Sequence, residues 1–452
     1  MPETKSEMAS SLQGSMKAVS KSKNQGEPKI GVDEFMAIAK RFGFCPDSLT
    51  KMREIASNED LGEGPFLANY YSGLPETCVQ AFERTARELF GVKYALGVSS
   101  GTAALHCALI AAGVGAGREV ICPAIGFYAT AAAVVQANGI PVFCDVDGSL
   151  GMDPAKIEKL ITTRTVAIVP THVMGSVANM GPIMAIARQH NLKVIEDCAQ
   201  SCGGKYRGQL VGTIGDIGCF SISAYKIVGG GEAGLVLTND QRLWERANQQ
   251  AECGGLWRPV RFAAPRWDGE LFNGTNYRLS ELEAAVDTVQ LAKVQATFER
   301  FHNVKLSVLQ DLRSFRGITP QKLNDPEGEV GYLLRFYPET GDLGRKIVAD
   351  LKSRGIKAGI RSADAPPDWH ISAYMYPITG MRGPTEDNCP FECPIYLARG
   401  GRAHYAADDC PVSVDLFERV ISIQLNQWFT AEDCHNIADA INQTLATYCQ
   451  PA

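Results

Sequence analysis

Short apolar runs and amphipathic stretches alternate along the middle of the chain, from about residue 94 to residue 239. Apolar runs bounded by glycine, proline or polar residues are typical of buried strands, and apolar residues at helical spacing predict helices. The strands are predicted over 94–98, 119–123, 141–146, 165–172, 193–198, 218–223 and 234–238. The helices between them are predicted over 102–112, 129–138, 153–160 and 182–190. This alternation predicts an α/β fold with a large, mostly parallel, seven-stranded sheet.

The pattern changes after about residue 279. Helices are predicted over 279–296, 298–312, 343–354 and 430–447, and a strand over 330–337. Because a chain of 452 residues exceeds the usual size of one domain, we predict a large domain over 29–297 and a smaller C-terminal α+β domain over 298–452. Residues 254–278 and 363–410 show little periodicity, and long irregular segments of this kind are usually functional loops.

The first 28 residues are polar and rich in serine, lysine and glutamate, and a disordered tail is predicted over 1–28. They lack the apolar core of a signal peptide, and no run in the sequence is long enough to span a bilayer. A net charge of −6 does not favour a nucleic acid or an anionic membrane as a partner.

Cysteine usage predicts a cytoplasmic, reducing setting. The 14 cysteines are scattered along a long chain, which is not the pattern of a disulfide framework. Cys389 and Cys393 are close in sequence, but no second pair or histidine cluster accompanies them. We therefore predict no metal site.

Lys226 closes an apolar, strand-like run and opens a cluster of glycines over 229–234. Upstream, the predicted strand over 193–198 ends in acid at Asp197. Enzymes that use pyridoxal 5'-phosphate (PLP) need both groups: a lysine amine forms a Schiff base with the cofactor, and an acid keeps the pyridine nitrogen protonated. The alternatives are an ordinary loop lysine for Lys226 and a helix cap for Asp197.

Residues 99–103, Ser-Ser-Gly-Thr-Ala, follow a predicted strand and open a predicted helix. Free backbone amides and the helix dipole suit a phosphate there, and Gly101 allows a close approach, although a simple helix cap is the alternative. Phe127 follows another strand, where its ring can stack on a flat cofactor or pack in the core. His172 is predicted to be a structural histidine outside the site.

Four blocks of sequence together resemble the DegT/StrS family of PLP-dependent sugar aminotransferases. They are Ser-Ser-Gly-Thr-Ala-Ala-Leu at 99–105, Glu-Asp-Cys-Ala-Gln at 196–200, Phe-Ser-Ile-Ser-Ala-Tyr-Lys at 220–226 and Asn-Tyr-Arg-Leu-Ser-Glu-Leu-Glu-Ala-Ala at 276–285. The resemblance covers roughly residues 43–448 and implies the PLP-dependent transferase fold type I, as in aspartate aminotransferase. Through Trp369, His370 and residues 325–328, the chain looks closest to the branch of 8-amino-3,8-dideoxy-manno-octulosonate transaminase.

The resemblance implies a role for each matching residue. Lys226 carries the cofactor and then moves a proton between substrate and cofactor, and Asp197 binds the pyridine nitrogen. Gln200 contacts the ring hydroxyl, and Phe127 stacks on the ring. The residues that hold the phosphate are Gly101, Thr102, Ala103 and Ser221. Asn276 reaches the phosphate of a neighbouring subunit, which implies a homodimer with shared active sites.

One loop departs from the family pattern, because Gly229 stands where the family has a threonine and Ala233 where it has a glycine. The leading hypothesis is an aminotransferase that moves an amino group from L-glutamate or L-glutamine to a keto or aldehyde group of a sugar or sugar-like acceptor. The altered loop motivates an alternative, a PLP-dependent decarboxylase, lyase or condensing enzyme. A second alternative is a non-catalytic PLP-binding regulator, although no basic patch that would read DNA is visible.

The sequence offers three candidates for contacts with the acceptor. Trp257, Arg258 and Arg261 lie in the irregular segment 254–278. The arginines suit a carboxylate or a phosphate, and solvated loop arginines are the alternative.

Overall fold

The computed structural model describes residues 28–61, 65, 67 and 75–452. The tail predicted over 1–28 therefore lies outside the described residues, except for its last residue. Contacts divide the chain into two units, Met1–Pro75 and Glu76–Ala452. The described part of the first unit contains helices α1 (Val32–Arg41) and α2 (Pro46–Ser57). The domain boundaries at residues 28 and 297 stay predictions.

The second unit contains a seven-stranded sheet with the strand order β1-β9-β8-β5-β4-β2-β3. Its strands are β1 (Tyr94–Val98), β2 (Glu119–Pro123), β3 (Ile140–Cys144), β4 (Thr165–Ile168), β5 (Lys193–Asp197), β8 (Ile217–Ser221) and β9 (Gly234–Thr238). The short strands β6 (Lys205–Tyr206) and β7 (Gln209–Leu210) pair separately. Strands β3, β2, β4, β5 and β8 are parallel, and β9 is antiparallel to both β8 and β1. The predicted α/β fold with a mostly parallel sheet is confirmed.

Helices cover both faces of this sheet and enclose two apolar cores. They are α3 (Cys78–Phe90), α4 (Gly101–Ala111), α5 (Ala129–Gln136), α6 (Pro154–Ile157), α7 (Met180–Gln189), α8 (Gln241–Ala251) and α9 (Glu281–Leu291). Helix α4 is apolar almost all round because it packs against α8 on one side and against β8 and β9 on the other. No described helix combines the length and the apolar character that crossing a membrane requires.

A second sheet of four antiparallel strands follows, in the order β10-β11-β13-β12. Its strands are β10 (Ile318–Pro320), β11 (Leu333–Pro338), β12 (Ala358–Gly359) and β13 (Ile421–Gln424). The remaining helices are α10 (Val294–Gln310), α11 (Gly341–Ser353), α12 (Tyr376–Thr379), α13 (Pro394–Ala398), α14 (Pro411–Arg419) and α15 (Ala431–Tyr448). Residues of α10, α11 and α15 build a separate apolar core with this sheet.

The prediction of one helix over 279–296 is wrong. Helix α9 ends at Leu291, and α10 begins at Val294. Neither glycine nor proline marks the break, and the apolar periodicity runs through it. The chain breaks because the two helices pack on different layers, α9 on α3 and α10 on α15.

Candidate active site

Asp197 stands at the carboxyl end of β5, near the middle of the sheet, where α/β folds bind their ligands. The side chain is buried, and its two oxygens accept hydrogen bonds from the Thr130 hydroxyl at 2.6 Å and from the backbone N–H of Ala199 at 3.1 Å. No lysine, arginine or histidine of the described chain forms an ion pair with it. A buried carboxylate is costly without a cation, so the site is suited to a positively charged group of a ligand.

The turn before α4 leaves two backbone amides free. The Ser100 hydroxyl accepts a hydrogen bond from the N–H of Ala103 at 3.1 Å, and the Ser100 carbonyl accepts one from Ala104. The amides of Gly101 and Thr102 have no acceptor among the described residues. A Cβ atom on Gly101 would lie 2.6 Å from Cβ of Ser221, so this turn touches the end of β8. Of the predicted phosphate-binding residues, Ala103 therefore has an amide that is already engaged.

Lys226 lies in the loop that connects β8 to β9. Its backbone N–H donates to the carbonyl of Ser223 at 2.9 Å, and its side-chain amine forms no hydrogen bond or ion pair with a described residue. The two ends of the loop are tied together, because Ser221 pairs with Gly234. Gly234 lies directly against the carbonyl of Ser100, so the lysine loop begins and ends beside the turn with the free amides.

Phe127 and Gln200 lie near the same edge of the sheet. The Phe127 side chain is half exposed, and its ring centroid lies 5.3 Å from that of His370. The Gln200 side-chain oxygen accepts the backbone N–H of Met174 at 2.8 Å. This bond fixes the amide so that its NH2 group is left as the donor for a ligand.

Asn276 is exposed, and its side-chain oxygen accepts the backbone N–H of Arg278 at 3.2 Å. Its neighbour Tyr277 accepts, through its carbonyl, the N–H of Ser99 at 2.9 Å. The segment that carries Asn276 therefore runs along the turn before α4 of its own chain. The contact that we predict between Asn276 and a second subunit remains a prediction.

His172 and Glu196 form a fully buried pair with a distance of 3.1 Å between Nε2 and Oε2. Nδ1 of His172 accepts the N–H of Ala178, so the hydrogen of this imidazole is on Nε2 and donates to Glu196. The ligand atoms of these two residues and Cys198 lie within 4.8 Å of one another. Because both ring nitrogens are used within the protein, the histidine has a structural role, as the sequence predicts.

Sequence reasoning missed two buried polar residues beside the site. The hydroxyl of Thr171 has no hydrogen-bond partner in the described part of the chain, although the residue forms a parallel bridge with Asp197. Arg335 lines a cavity of about 810 Å³ together with Phe127 and His370. Neither residue belongs to a motif, and a threonine or an arginine inside a strand-like run gives no signal of its own.

The acceptor candidates of segment 254–278 are placed differently. Arg258 is buried and donates to backbone carbonyls of its own loop, those of Gly255 and Ala264 among them. Trp257 packs edge-on against Trp244 at 5.2 Å. Neither residue lines the cavity beside Phe127. The interpretation of Arg258 as a solvated loop arginine is wrong, because its own loop folds around it.

PLP fits this arrangement. A protonated pyridine nitrogen would supply the cation that buried Asp197 lacks, and the free amides of Gly101 and Thr102 would receive a phosphate. The amine of Lys226, which no described residue engages, would be available for the cofactor aldehyde. The fit rests on charge and hydrogen-bonding capacity that the protein itself leaves unused.

The profile of the DegT/DnrJ/EryC1/StrS aminotransferase family matches residues 74–366. GDP-perosamine synthase from Caulobacter vibrioides is 39% identical over 47% of this chain, and the match spans 56% of that relative. L-glutamine:2-deoxy-scyllo-inosose aminotransferase from Micromonospora echinospora is 39% identical over 67% of this chain and 74% of its own length. The X-ray structure of an aminotransferase from Psychrobacter cryohalolentis is similar with a TM-score of 0.66 and 27% identity, covering 84% of this chain and 93% of that one.

Proposed function

The chain belongs to the DegT/DnrJ/EryC1/StrS aminotransferase family, and from this premise we propose that it moves the amino group of L-glutamate or L-glutamine to a keto or aldehyde group of a sugar or sugar-like acceptor. The cofactor is PLP. The observation that carries the proposal is the buried carboxylate of Asp197, which no cation of the described residues compensates, at the same sheet edge as the lysine loop. The matching family, the relative from Micromonospora echinospora and the similar solved structure are all named as aminotransferases, which favours this function over a decarboxylase, a lyase or a regulator.

Each residue has a distinct task in this proposal. Bound PLP supplies an electron sink for negative charge that develops on the substrate carbon. Lys226 holds the cofactor and then takes and returns the proton at that carbon, since its amine is not engaged elsewhere. The carboxylate of Asp197 would pair with the pyridine nitrogen, and the hydroxyl of Thr130 orients it. The NH2 group of Gln200 donates to the ring hydroxyl, and Phe127 covers one face of the ring.

The phosphate of the cofactor binds at the start of α4. The amides of Gly101 and Thr102 and the hydroxyls of Thr102 and Ser221 are the donors that we assign to it. Asn276 would add a donor to the phosphate of a second subunit, which makes a homodimer with shared sites part of the proposal. Its exposure supports this assignment. The 14 unpaired cysteines support a reducing, cytoplasmic setting.

The acceptor of the amino group is the second substrate of the proposed reaction. The relatives are named for nucleotide-linked sugars and for an inosose, and these names describe those proteins. The sequence places the chain nearer to a branch that aminates an eight-carbon sugar acid, and Trp369 and His370, which prompt that prediction, line the cavity beside Phe127. An octulosonate-like sugar acid therefore stays our prediction for the acceptor.

The absorbance spectrum of the purified holoenzyme tests the proposal. Addition of L-glutamine or L-glutamate is expected to shift the band of bound PLP to that of its amino form. Lys226→Ala should lose this response, while Lys346→Ala, which changes an exposed lysine of α11, should keep it. A wild-type band that neither donor alters would contradict the aminotransferase assignment and favour an enzyme that acts on an amino acid alone.

A further inference from the structure

A cavity of about 810 Å³ lies between the two sheets of the second unit. On one side it is lined by Phe127 and Met174, which follow strands of the seven-stranded sheet. On the other side it is lined by Arg335 of β11 and Ser422 of β13. Because Phe127 is assigned to the cofactor, a molecule in this cavity would lie on the side of the cofactor site that Phe127 forms.

Arg335 is the unusual member of this lining. Only 2% of the residue is exposed, and its Nε has no hydrogen-bond partner among the described residues. One terminal nitrogen donates to the Met174 carbonyl at 3.0 Å. The other reaches only the hydroxyl of Ser176 and the side chain of Gln321, both at 3.5 Å. All three acceptors are neutral, and burial lowers the pKa of the guanidinium.

The charged residues around Arg335 do not balance the positive charge of its guanidinium. The nearest acid in its network is Glu329, which is bound to buried Lys305 at 2.7 Å. With Arg335 included, this buried group of one acid and two bases carries one positive charge in excess. Burying a cation without an anion is costly unless a bound group supplies the missing charge.

The other charged residues of the cavity are already paired. Arg361 donates to Glu418 at 2.8 Å and to backbone carbonyls of its own segment. Asp368 accepts from the ring of His370 at 2.8 Å. Arg335 is thus the one cation of the described cavity lining without an ionic partner.

We propose that Arg335 recognises a carboxylate group of the substrate that occupies this cavity, so that the enzyme selects substrates that carry a carboxylate. A carboxylate matches the planar, forked geometry of a guanidinium and can accept two hydrogen bonds from it. The inference rests on the proposed function, because it assumes that a substrate enters beside Phe127. The carboxylate belongs either to the amino donor or to a sugar-acid acceptor, and the two sources can be separated.

The experiment uses the holoenzyme in three forms: wild type, Arg335→Lys and Arg335→Met. The first arm follows the absorbance change with increasing L-glutamine and gives the half-saturating concentration and the limiting rate. The second arm measures binding of D-gluconate, with the neutral D-glucitol as its matched control, by isothermal titration calorimetry. Thermal unfolding of each form reports whether the substitution changes stability.

We expect Arg335→Met to weaken the binding of one of the two carboxylate ligands by about tenfold or more, with the limiting rate nearly unchanged. Arg335→Lys should weaken this binding to an intermediate extent. Loss of affinity for L-glutamine identifies the donor as the source. Loss of gluconate binding with unchanged L-glutamine saturation identifies the acceptor. If both carboxylates behave as in the wild type, or if only thermal stability falls, the inference is overturned and Arg335 is structural. If neither L-glutamine nor L-glutamate changes the absorbance band of bound PLP in the wild type, the result contradicts the proposed aminotransferase function instead.

Discussion

Gly230 leaves the space that the carboxyl group of Asp287 occupies: a Cβ atom at position 230 would collide with Oδ1 of Asp287. Asp287 lies on α9 and is fully buried, and neither of its oxygens has a hydrogen-bond partner among the described residues. Glu283, one turn earlier on the helix, faces the adjacent Gly231. The glycines of the altered loop after Lys226 thus accommodate a pair of acids.

This pair should make stability depend on pH. Burial first, and then the neighbouring Glu283, raise the pKa of Asp287 to about 7. In the unfolded chain the group ionises near pH 4, so between about pH 4 and 7 the folded state holds a proton that the unfolded state has lost. The contribution of Asp287 to the free energy of unfolding is therefore most favourable below about pH 4. It decreases by up to about 4 kcal/mol as the pH rises to 7.

The comparison that isolates this effect is urea unfolding of wild type and Asp287→Asn at several pH values. The variant cannot ionise, so the difference between the two proteins should grow in its favour from pH 4 to pH 7 and then become constant. Glu283→Gln should make the free energy of unfolding depend less on pH than in the wild type, because it removes the like charge beside Asp287. A difference that does not vary with pH would show that Asp287 is not protonated in the folded state.

Gly101→Ala should weaken binding of PLP by about tenfold or more. The added Cβ would lie 2.6 Å from Cβ of Ser221, and crowding of this kind costs about 1–3 kcal/mol, here at the turn assigned to the phosphate. Reconstitution of the apoprotein with PLP, followed by absorbance, gives the affinity. Gly115→Ala is the matched control, because a Cβ at that position meets nothing within 4 Å. Equal affinity for PLP in the two variants would show that this turn does not bind the cofactor.

Asp197→Asn should lose the negative charge, and its NH2 group would replace one of the two oxygens that accept hydrogen bonds from Thr130 and Ala199. The pyridine nitrogen would then no longer be held protonated, and the donor half-reaction should slow by about 100-fold or more. Stopped-flow absorbance with L-glutamine measures this rate. Thr130→Val keeps the carboxylate and removes its orienting hydroxyl, so a smaller decrease is expected. A half-reaction of wild-type rate in Asp197→Asn would exclude the assigned role.

Glu196→Gln should destabilise the fold by roughly 2–4 kcal/mol. Glu196 is fully buried and accepts hydrogen bonds from the backbone amides of Gly212, Ile214 and Gly215 in addition to His172. A glutamine would turn an NH2 group towards one of these donors. Chemical denaturation measures the loss, and Glu158→Gln, at an exposed acid, should change little. A variant as stable as the wild type would mean that the amides find other acceptors.

The strands could be predicted from sequence because each is a short apolar run that ends in glycine, proline or a polar residue. Tyr94–Val98 and Gly234–Thr238 are predicted with the observed bounds. The carboxyl ends of two other predicted strands, β5 and β8, led directly to Asp197 and Ser221. The break between α9 and α10 could not be predicted, because its cause is the packing of the two helices on different partners rather than a local signal. Periodicity within one segment carries no information about that choice.

The burial of charged residues outside motifs could not be predicted from the sequence either. Asp287 has the spacing of an ordinary residue on a helix, and only the absence of side chains at Gly230 and Gly231 lets it turn inward. Arg335 lies in a run, Leu-Leu-Arg-Phe-Tyr, whose neighbours fill the core of the four-stranded sheet. Which face of the strand meets the cavity is decided by pairing with β13, a partner almost ninety residues away. Long-range pairing, not composition, creates these sites.

The pairing of Ser221 with Gly234 gives the lysine loop a fixed span, anchored at both ends by hydrogen-bonded strands. The segment 360–370 and the strands β11 and β13, which line the cavity, are separate stretches of chain. If the proposed roles hold, chemistry and substrate choice are encoded in different parts of the gene. Recombination or mutation of the cavity segments could supply new acceptors while the reactive lysine keeps its register, and a laboratory exchange of residues 360–370 between relatives would exploit the same modularity.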